Sequence, residues 1–184
     1  MKKSFLLLLT SLLVSNFIFS QETTQENTVK QNFNELKING LFLVIGAFEA
    51  TYERTLNEES GIGVSVFIPF DNEITEDINY YISPYYRLYF GKGYATGFFI
   101  EGFGMLNSVN EYNYLYDSSF NETVTKETIT DFALGIGLGG KWVTKSGFIG
   151  ELNFGVGRNL FNSSEYSDSE IVAKVGISLG YRFQ

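Results

Sequence analysis

The chain contains no cysteine and no histidine, and only two prolines, in 184 residues. Without cysteine there is no disulfide framework, no thiolate metal site and no cysteine nucleophile. Without histidine, the usual general base near neutral pH and the commonest metal ligand are both missing. Acidic residues outnumber basic ones by 21 to 13, which argues against a nucleic-acid-binding protein. Hydrophobic residues make up 44% of the chain and glycine occurs 19 times, a composition that can build a folded domain.

Long hydrophobic runs are also scarce. Residues 1–20 combine Lys2 and Lys3 with an apolar stretch that ends at the small Ser20, which is the layout of a secretory signal peptide cleaved near Ser20. Residues 21–33 are polar and predict a flexible tail, and residues 34–184 predict a single domain. No later apolar run approaches the ~20 residues of a spanning helix, so membrane entry would require a closed barrel.

An alternation with a period of two residues runs through this domain. In the segment 171–183 the odd positions are apolar, whereas the even positions are small or charged, which is the signal of a β-strand. The same alternation predicts eight strands, at about 35–45, 48–56, 61–70, 82–90, 96–112, 131–139, 148–157 and 171–183.

The breaks between these segments indicate how the strands connect. Short breaks at 57–60, 91–95 and 145–146 alternate with longer polar ones at 71–79, 113–127 and 162–169, after a very short first break at 46–47. Tight turns at one end and longer loops at the other are typical of up-and-down barrels. The prediction is an all-β protein, an eight-stranded antiparallel up-and-down barrel.

Which face of the strands points outward decides between a membrane and a water-soluble barrel. The apolar faces are nearly free of charge, and the opposite faces are rich in glycine with isolated charges of both signs. Aromatic residues gather in two groups near the strand ends, as in the interfacial girdles of membrane barrels. The groups are Phe70, Tyr80, Tyr112 and Phe161 near the long loops, and Phe90, Tyr94, Trp142, Phe148, Tyr181 and Phe183 near the tight turns. We therefore expect a transmembrane barrel.

Three motifs carry a family resemblance: Tyr52-Glu53-Arg54, the segment 84–91 (PYYRLYFG) and the segment 97–104 (GFFIEGFG). Over residues 34–184 the chain resembles small outer-membrane β-barrels of Gram-negative bacteria, the OmpA/OmpX-like class, and more closely an uncharacterised family of such barrels from Bacteroidota. The resemblance implies a place in the cell outer membrane and contact with its lipids and its barrel-insertion machinery. Members of the class usually end in an aromatic residue, whereas here Gln184 follows Phe183.

The glycine-rich segment 135–141 contains the spacing G-x-G-x-x-G and nearly matches a phosphate-binding loop. Both motifs require a loop that opens a helix, and Trp142 stands where the phosphate loop needs serine or threonine. We expect no bound cofactor. Instead, the glycines should form a stripe inside the barrel that makes room for large inward side chains. The stripe comprises Gly135, Gly137, Gly139, Gly155 and Gly157, and the large side chains include Tyr85, Phe99 and Phe103.

Charged residues on the predicted inner face favour structure over catalysis. Glu101 and Glu151 resemble the paired carboxylates of glycoside hydrolases. However, cations share the same face, and a buried carboxylate requires such partners. The predicted lumen ion-pair network is Arg87, Glu101, Lys141, Glu151, Lys174 and Arg182, with Asp131 and Glu53 nearer the rims. No catalytic or metal-binding residue is predicted, and outer-membrane barrel enzymes as a class generally rely on a histidine.

The expected function is that of a non-enzymatic, monomeric outer-membrane barrel with a structural or surface-interaction role and a lumen plugged by side chains. The alternative is a secreted or periplasmic soluble barrel that carries a small apolar ligand. Binding of an unknown extracellular ligand also stays open as a function. Four aromatic residues either form an adhesive patch or continue the aromatic girdle: Tyr112, Tyr114, Tyr116 and Phe120.

Overall fold

The structure is a computed structural model that describes residues 32–116, 122–161 and 170–184. The predicted signal peptide and nearly all of the predicted tail lie outside these residues. So do Phe120 and the side chains of Tyr114 and Tyr116. No helix in the described ranges is long and apolar enough to cross a membrane.

The described residues form one closed antiparallel barrel of eight strands, in which each strand pairs with its neighbours in the chain and the first pairs with the last. The strands and helices are β1 (Asn34–Asn39), α1 (Gly40–Ile45), β2 (Ala47–Thr55), β3 (Ser60–Pro69), α2 (Asn72–Asp77), β4 (Ile78–Tyr89), β5 (Gly97–Tyr116), β6 (Glu122–Val143), β7 (Phe148–Asn159) and β8 (Ile171–Phe183). The predicted eight-stranded up-and-down barrel is confirmed.

Apolar side chains cover the outer wall of the barrel, because successive residues of a strand point to opposite faces. Six mid-strand residues illustrate this arrangement, and each has at least 39% of its surface exposed. They are Leu134, Ile136, Leu152, Phe154, Val175 and Ile177. Their neighbours in sequence point into the barrel, where Ala133, Glu151 and Lys174 are buried.

The prediction of a first strand that reaches residue 45 is wrong, because the chain turns into helix α1 at Gly40. The side chain of Asn39 accepts a hydrogen bond from the Leu41 amide at 3.2 Å and starts the helix. Gly46 ends it with a φ of 100°, in the left-handed region that glycine favours. A Cβ on Gly46 would also lie 2.3 Å from the Cβ of Asp71. The turn therefore requires glycine at this position.

Two predicted loops also contain regular structure. The break at 71–79 holds helix α2, which the side chain of Asp71 caps by accepting from the Glu73 amide at 2.9 Å. The break predicted at 113–127 is wrong, since β5 and β6 stay paired as far as Tyr116 and Glu122. The pairing between β6 and β7 stops at Ala133. The end of the β5–β6 hairpin therefore continues past the part of β6 that pairs with β7.

Candidate functional site

Among the described residues, nine charged side chains form ion pairs with one another inside the barrel, and we call them the lumen network. Every strand except β3 contributes to it. All nine except Arg182 are buried to at least 96% of their surface. The members are Glu35, Lys37, Glu53, Arg87, Glu101, Lys141, Glu151, Lys174 and Arg182.

Glu53 is the centre of the lumen network, although the sequence placed it near a rim. Its location is a correction with a simple cause: β2 pairs with β1 from Ala50 to Arg54, which places Glu53 opposite Glu35, and both side chains are fully buried. Three cations and two phenols donate hydrogen bonds to its carboxylate. The donors are Lys37 Nζ at 2.8 Å, Arg87 Nη1 at 3.1 Å, Lys141 Nζ at 2.8 Å, Tyr85 Oη at 2.8 Å and Tyr89 Oη at 2.5 Å.

Four of the six predicted network residues contact one another. Arg87 bridges both predicted acids, with its Nε 2.7 Å from Glu101 and its Nη1 2.8 Å from Glu151. Lys174 donates to Glu101 at 2.9 Å. Arg87 therefore joins two carboxylates that stand on different strands.

The other two predicted residues pair elsewhere. Lys141 donates to Glu35 at 2.9 Å and to Glu53, and Arg182 donates to Glu35 through its Nε at 2.7 Å. Asp131 lies near the loop end, where its Oδ1 accepts from the amides of Phe132 at 2.6 Å and Phe161 at 3.1 Å. Lys141 and Arg182 thus depend on a carboxylate that the sequence prediction left out.

Two members of the lumen network, Glu35 and Lys37, were missed, and Glu53 was placed too near a rim. The short alternation of Leu36 and Ile38 with charged neighbours was available as a signal. These residues change the balance of charge, from two predicted acids among four bases to four acids among five bases. Glu49 supplies a further buried carboxylate beside them, with hydrogen bonds from Tyr81 and, at 3.4 Å, from Asn39. The lumen network and Glu49 together contain five acids and five bases, a balance that suits a poorly hydrated interior.

Aromatic rings line the lumen network and contact its cations. The guanidinium carbon of Arg87 lies 4.3 Å from the ring centroid of Tyr85 and 4.1 Å from that of Phe99. The Nζ atom of Lys141 lies 4.2 Å from the ring of Tyr89. Such cation–π contacts are strongest where water is excluded. The rings therefore stabilise the same buried cations that the carboxylates bind.

The glycine stripe makes room for the aromatic side chains, as expected. A Cβ on Gly135 would lie 2.2 Å from Cζ of Phe103, and one on Gly139 would lie 2.5 Å from Cζ of Phe99. Contacts this short require a ring or the backbone to move. The phenyl rings occupy the volume that larger residues on β6 would need.

Gly135→Ala is therefore expected to destabilise the barrel by about 1–3 kcal/mol, which is typical of overpacked cores. Gly150→Ala is the matched control, because in the described part of the chain no atom lies within 4 Å of its Cβ position. A Gly→Ala change without strain stabilises by roughly 0.4–1 kcal/mol through the unfolded state. Urea unfolding of the refolded protein measures both. A loss no larger for Gly135→Ala than for Gly150→Ala would contradict the tight fit.

The turn between β4 and β5 folds across the barrel mouth at the tight-turn end. Arg182 donates from Nη1 to the carbonyl of Tyr94 at 2.9 Å and from Nη2 to that of Ala95 at 3.1 Å. The ring of Tyr94 packs edge-on against Phe33 with centroids 5.3 Å apart. The prediction that Tyr94 belongs to the outer aromatic girdle is wrong, because this turn places it over the mouth.

Apolar packing fills the barrel interior near the mouth at the long-loop end. Phe67 and Tyr81 stack with centroids 4.7 Å apart, and Phe42 of α1 packs edge-on against Phe67 at 5.0 Å. Ile74 of α2 packs against the same cluster. Both short helices thus place an apolar side chain against the barrel interior.

The arrangement suits a structural role for the carboxylates. Each carboxylate of the lumen network accepts from at least one cation, at distances of 2.6–3.1 Å. Among the described residues, no group of three or more acidic side chains is placed to hold a metal ion.

Comparison with known proteins gives a likeness of fold. No family model matches the chain, and no curated protein matches it significantly. The N-terminal β-barrel domain of Pseudomonas aeruginosa OprF is similar, with a TM-score of 0.50 and 14% identity over 83% of this chain and 98% of that domain. The outer membrane protein Ail of Yersinia pestis has a TM-score of 0.39 and 16% identity over 83% of this chain and 100% of its own. The likeness to OprF agrees with the closed eight-stranded barrel.

Proposed function

We propose that the chain is an outer-membrane β-barrel protein with a structural or surface-interaction role, without enzymatic activity and with a lumen plugged by side chains. The observation that carries the proposal is the distribution of residues between the two faces of the barrel. Apolar side chains are exposed on the outer wall, and ion pairs are buried inside. This inverts the arrangement of a water-soluble protein and matches that of membrane barrels.

The exposed apolar surface is too extensive for a protein in water. Ile136 and Leu179 expose 73% and 69% of their surfaces, and outward residues of all eight strands share this character. Soluble monomers rarely expose contiguous apolar patches beyond a few hundred Å². A bilayer would cover this wall and remove it from water.

Exposed aromatic side chains at both ends of the outer wall support the same orientation. Phe70 and Phe161 are 64% and 74% exposed near the loops. Near the tight turns, Phe90, Trp142, Phe148, Tyr181 and Phe183 are exposed. Aromatic residues at these two levels are typical of bilayer interfaces.

The barrel interior does not favour the alternative of a soluble carrier. A carrier of an apolar ligand needs an apolar cavity, whereas the middle of this barrel is filled by Glu53 and its cationic partners. Placing an apolar ligand there would separate buried charges, at a cost of several kcal/mol per ion.

The plugged lumen predicts the absence of a steady, large conductance. Eight strands enclose only enough width for side chains to fill. Arg182 holds the turn at Tyr94 and Ala95 over one mouth. Purified protein in planar bilayers should therefore give no stable single-channel steps. Sustained large steps would contradict the plugged lumen and leave the membrane assignment untouched.

Cell fractionation tests the proposed location. We expect export with cleavage near Ser20, and insertion through contacts of the last strand with the insertion machinery. Phe183 is exposed on that strand, one residue before Gln184. The protein should remain in the outer-membrane fraction after extraction with carbonate or urea. Release into the soluble fraction in a folded form would overturn the proposal.

The projecting β5–β6 hairpin supports a role at the cell surface. Tyr112 donates to the carbonyl of Glu76 at 3.2 Å, and its ring lies 5.6 Å from Nζ of Lys126. The hairpin is thus tied to helix α2 at its base. We propose that this end of the barrel faces outward from the cell, as the long-loop ends of such barrels do.

A further inference from the structure

An apolar groove of about 450 Å³ crosses the outer wall from β4 to β7. Its floor is Gly102, which pairs with Tyr86 on one side and Ile136 on the other. No atom of the described residues lies within 4 Å of the position that a Cβ on Gly102 would take. The groove therefore lies where the outer wall lacks a bulky side chain. Its other walls include Leu88, Phe154 and Val156.

A second groove, of about 530 Å³, borders Phe154 as the first one does, and extends to Leu152 and Trp142. Val156, Phe154 and Leu152 are successive outward residues of β7. The two grooves thus lie in series along this strand, from its loop end towards its turn end, and share Leu138 and Phe154 as walls. We call the pair of grooves the channel.

A cation stands at the loop end of this channel. Arg158 is the next outward residue of β7 after Val156, ~7 Å further along the strand. Its side chain is 67% exposed, and its Nη2 lies 3.1 Å from the carboxylate of Glu170. Exposed ion pairs of this kind contribute little. A phosphate group, which a guanidinium can bind through two parallel hydrogen bonds, can compete with such a carboxylate.

We propose that this channel is a binding site for a phosphorylated lipid, with one acyl chain in the grooves and the phosphate on Arg158. The inference rests on the proposed membrane location. An elongated apolar channel with a cation at one end is complementary to an amphiphile with one acidic head. Arg158 lies near Phe161, an exposed aromatic residue at the loop-end interface, so the head group would lie at the level of that interface.

Native mass spectrometry of the folded protein in detergent tests the site, because it reports the mass of whatever binds. The probes are lysophosphatidic acid, the monoacylglycerol with the same chain, and glycerol phosphate. We expect one lysophosphatidic acid per barrel, bound about tenfold more tightly than the monoacylglycerol, as charge-assisted hydrogen bonds suggest. Glycerol phosphate should not bind, because it has no chain to fill the channel.

Two variants separate the contributions of charge and shape. Arg158→Gln should reduce the affinity for lysophosphatidic acid to that for the monoacylglycerol, while Arg54→Gln, a change at another exposed arginine, should not. Gly102→Leu should fill the groove and abolish binding of both lipids. Gly150→Leu is its control, because Gly150 also has open space at its Cβ position and does not line either groove. Circular dichroism checks that each variant is folded.

Equal binding of the two lipids, or an unchanged affinity in Arg158→Gln, would overturn the site. The site would also be overturned if the measured mass were that of two copies of the chain and Gly102→Leu restored the mass of one copy, because a second copy would then occupy the groove. These results would leave the proposed location standing, because that is decided by fractionation. A folded protein found in the soluble fraction would instead overturn the location.

Discussion

Glu53→Ala should lower the free energy of unfolding of the barrel by ~3–5 kcal/mol, the usual cost of removing one partner from a buried ion pair. The substitution would leave Lys37, Arg87 and Lys141 with fewer acceptors in a buried interior. It would also leave the hydroxyl groups of Tyr85 and Tyr89 without the acceptor they now share. Deprotonation of a lysine or hydration of these groups would relieve only part of the cost.

The measurement is urea unfolding of the refolded protein in detergent, followed by tryptophan fluorescence and heat-modifiable gel mobility. Glu73→Ala is the matched control, since Glu73 is exposed on α2. Glu101→Ala and Glu151→Ala should also destabilise more than the control, because each removes one buried carboxylate partner of Arg87. Equal losses for the lumen and helix variants would show that the buried carboxylates are hydrated, and the assigned facing of the strands would then be reversed.

Leu152→Arg is expected to have the next largest effect, a loss of ~2–4 kcal/mol when the protein is folded in lipid vesicles. Leu152 is exposed in the middle of β7, where a bilayer would surround it. Ser146→Arg, in the exposed turn before β7, provides the control because its side chain would stay in water. Urea unfolding in vesicles measures the free energy of unfolding of both variants and thereby tests whether Leu152 faces lipid. Equal stability would mean that Leu152 does not face lipid.

The alternation of residues was sufficient to predict the barrel and its facing wherever strands are long and regular. In β6 to β8 the glycines and charges of the inner face alternate with Ile, Leu and Phe, so Lys141, Glu151 and Lys174 were placed inside from sequence. Arg87 in β4 and Glu101 in β5 were placed inside in the same way. The reason is physical: a period of two leaves each strand only one way to bury its charges.

The first strands were harder to predict because local signals compete there. The segment Gly40–Ile45 is apolar throughout, and a short apolar run does not distinguish a strand from a helix. Asn39 and Gly46, which cap the helix at its two ends, were the informative residues. Had these two residues been interpreted as helix caps, the predicted first strand would have ended at Asn39. Its short alternation would then have indicated Glu35 and Lys37 as inward residues.

The extent of β5 and β6 was underestimated for a different reason. Beyond Val109 the paired residues are mostly polar, and hydrophobic periodicity disappears although the backbone pairing continues. Backbone hydrogen bonds depend little on side-chain polarity, so the pairing of two strands can extend beyond the end of the apolar pattern. The position of Glu53 was missed because its partners come from β1, β4 and β6, which only the closed barrel brings together.

The central claim is that the apolar outer wall faces lipid, and the absence of cysteine from the chain makes a direct test possible. Single cysteines replacing Leu134, Leu152 and Ile177 would carry spin labels in vesicle-reconstituted protein, with Glu58, Glu127 and Ser146 as exposed references in the turns and the hairpin. Labels on the wall should be accessible to oxygen and shielded from a water-soluble nickel complex, and the reference labels should show the reverse. Wall labels as accessible to the nickel complex as the references would contradict the account.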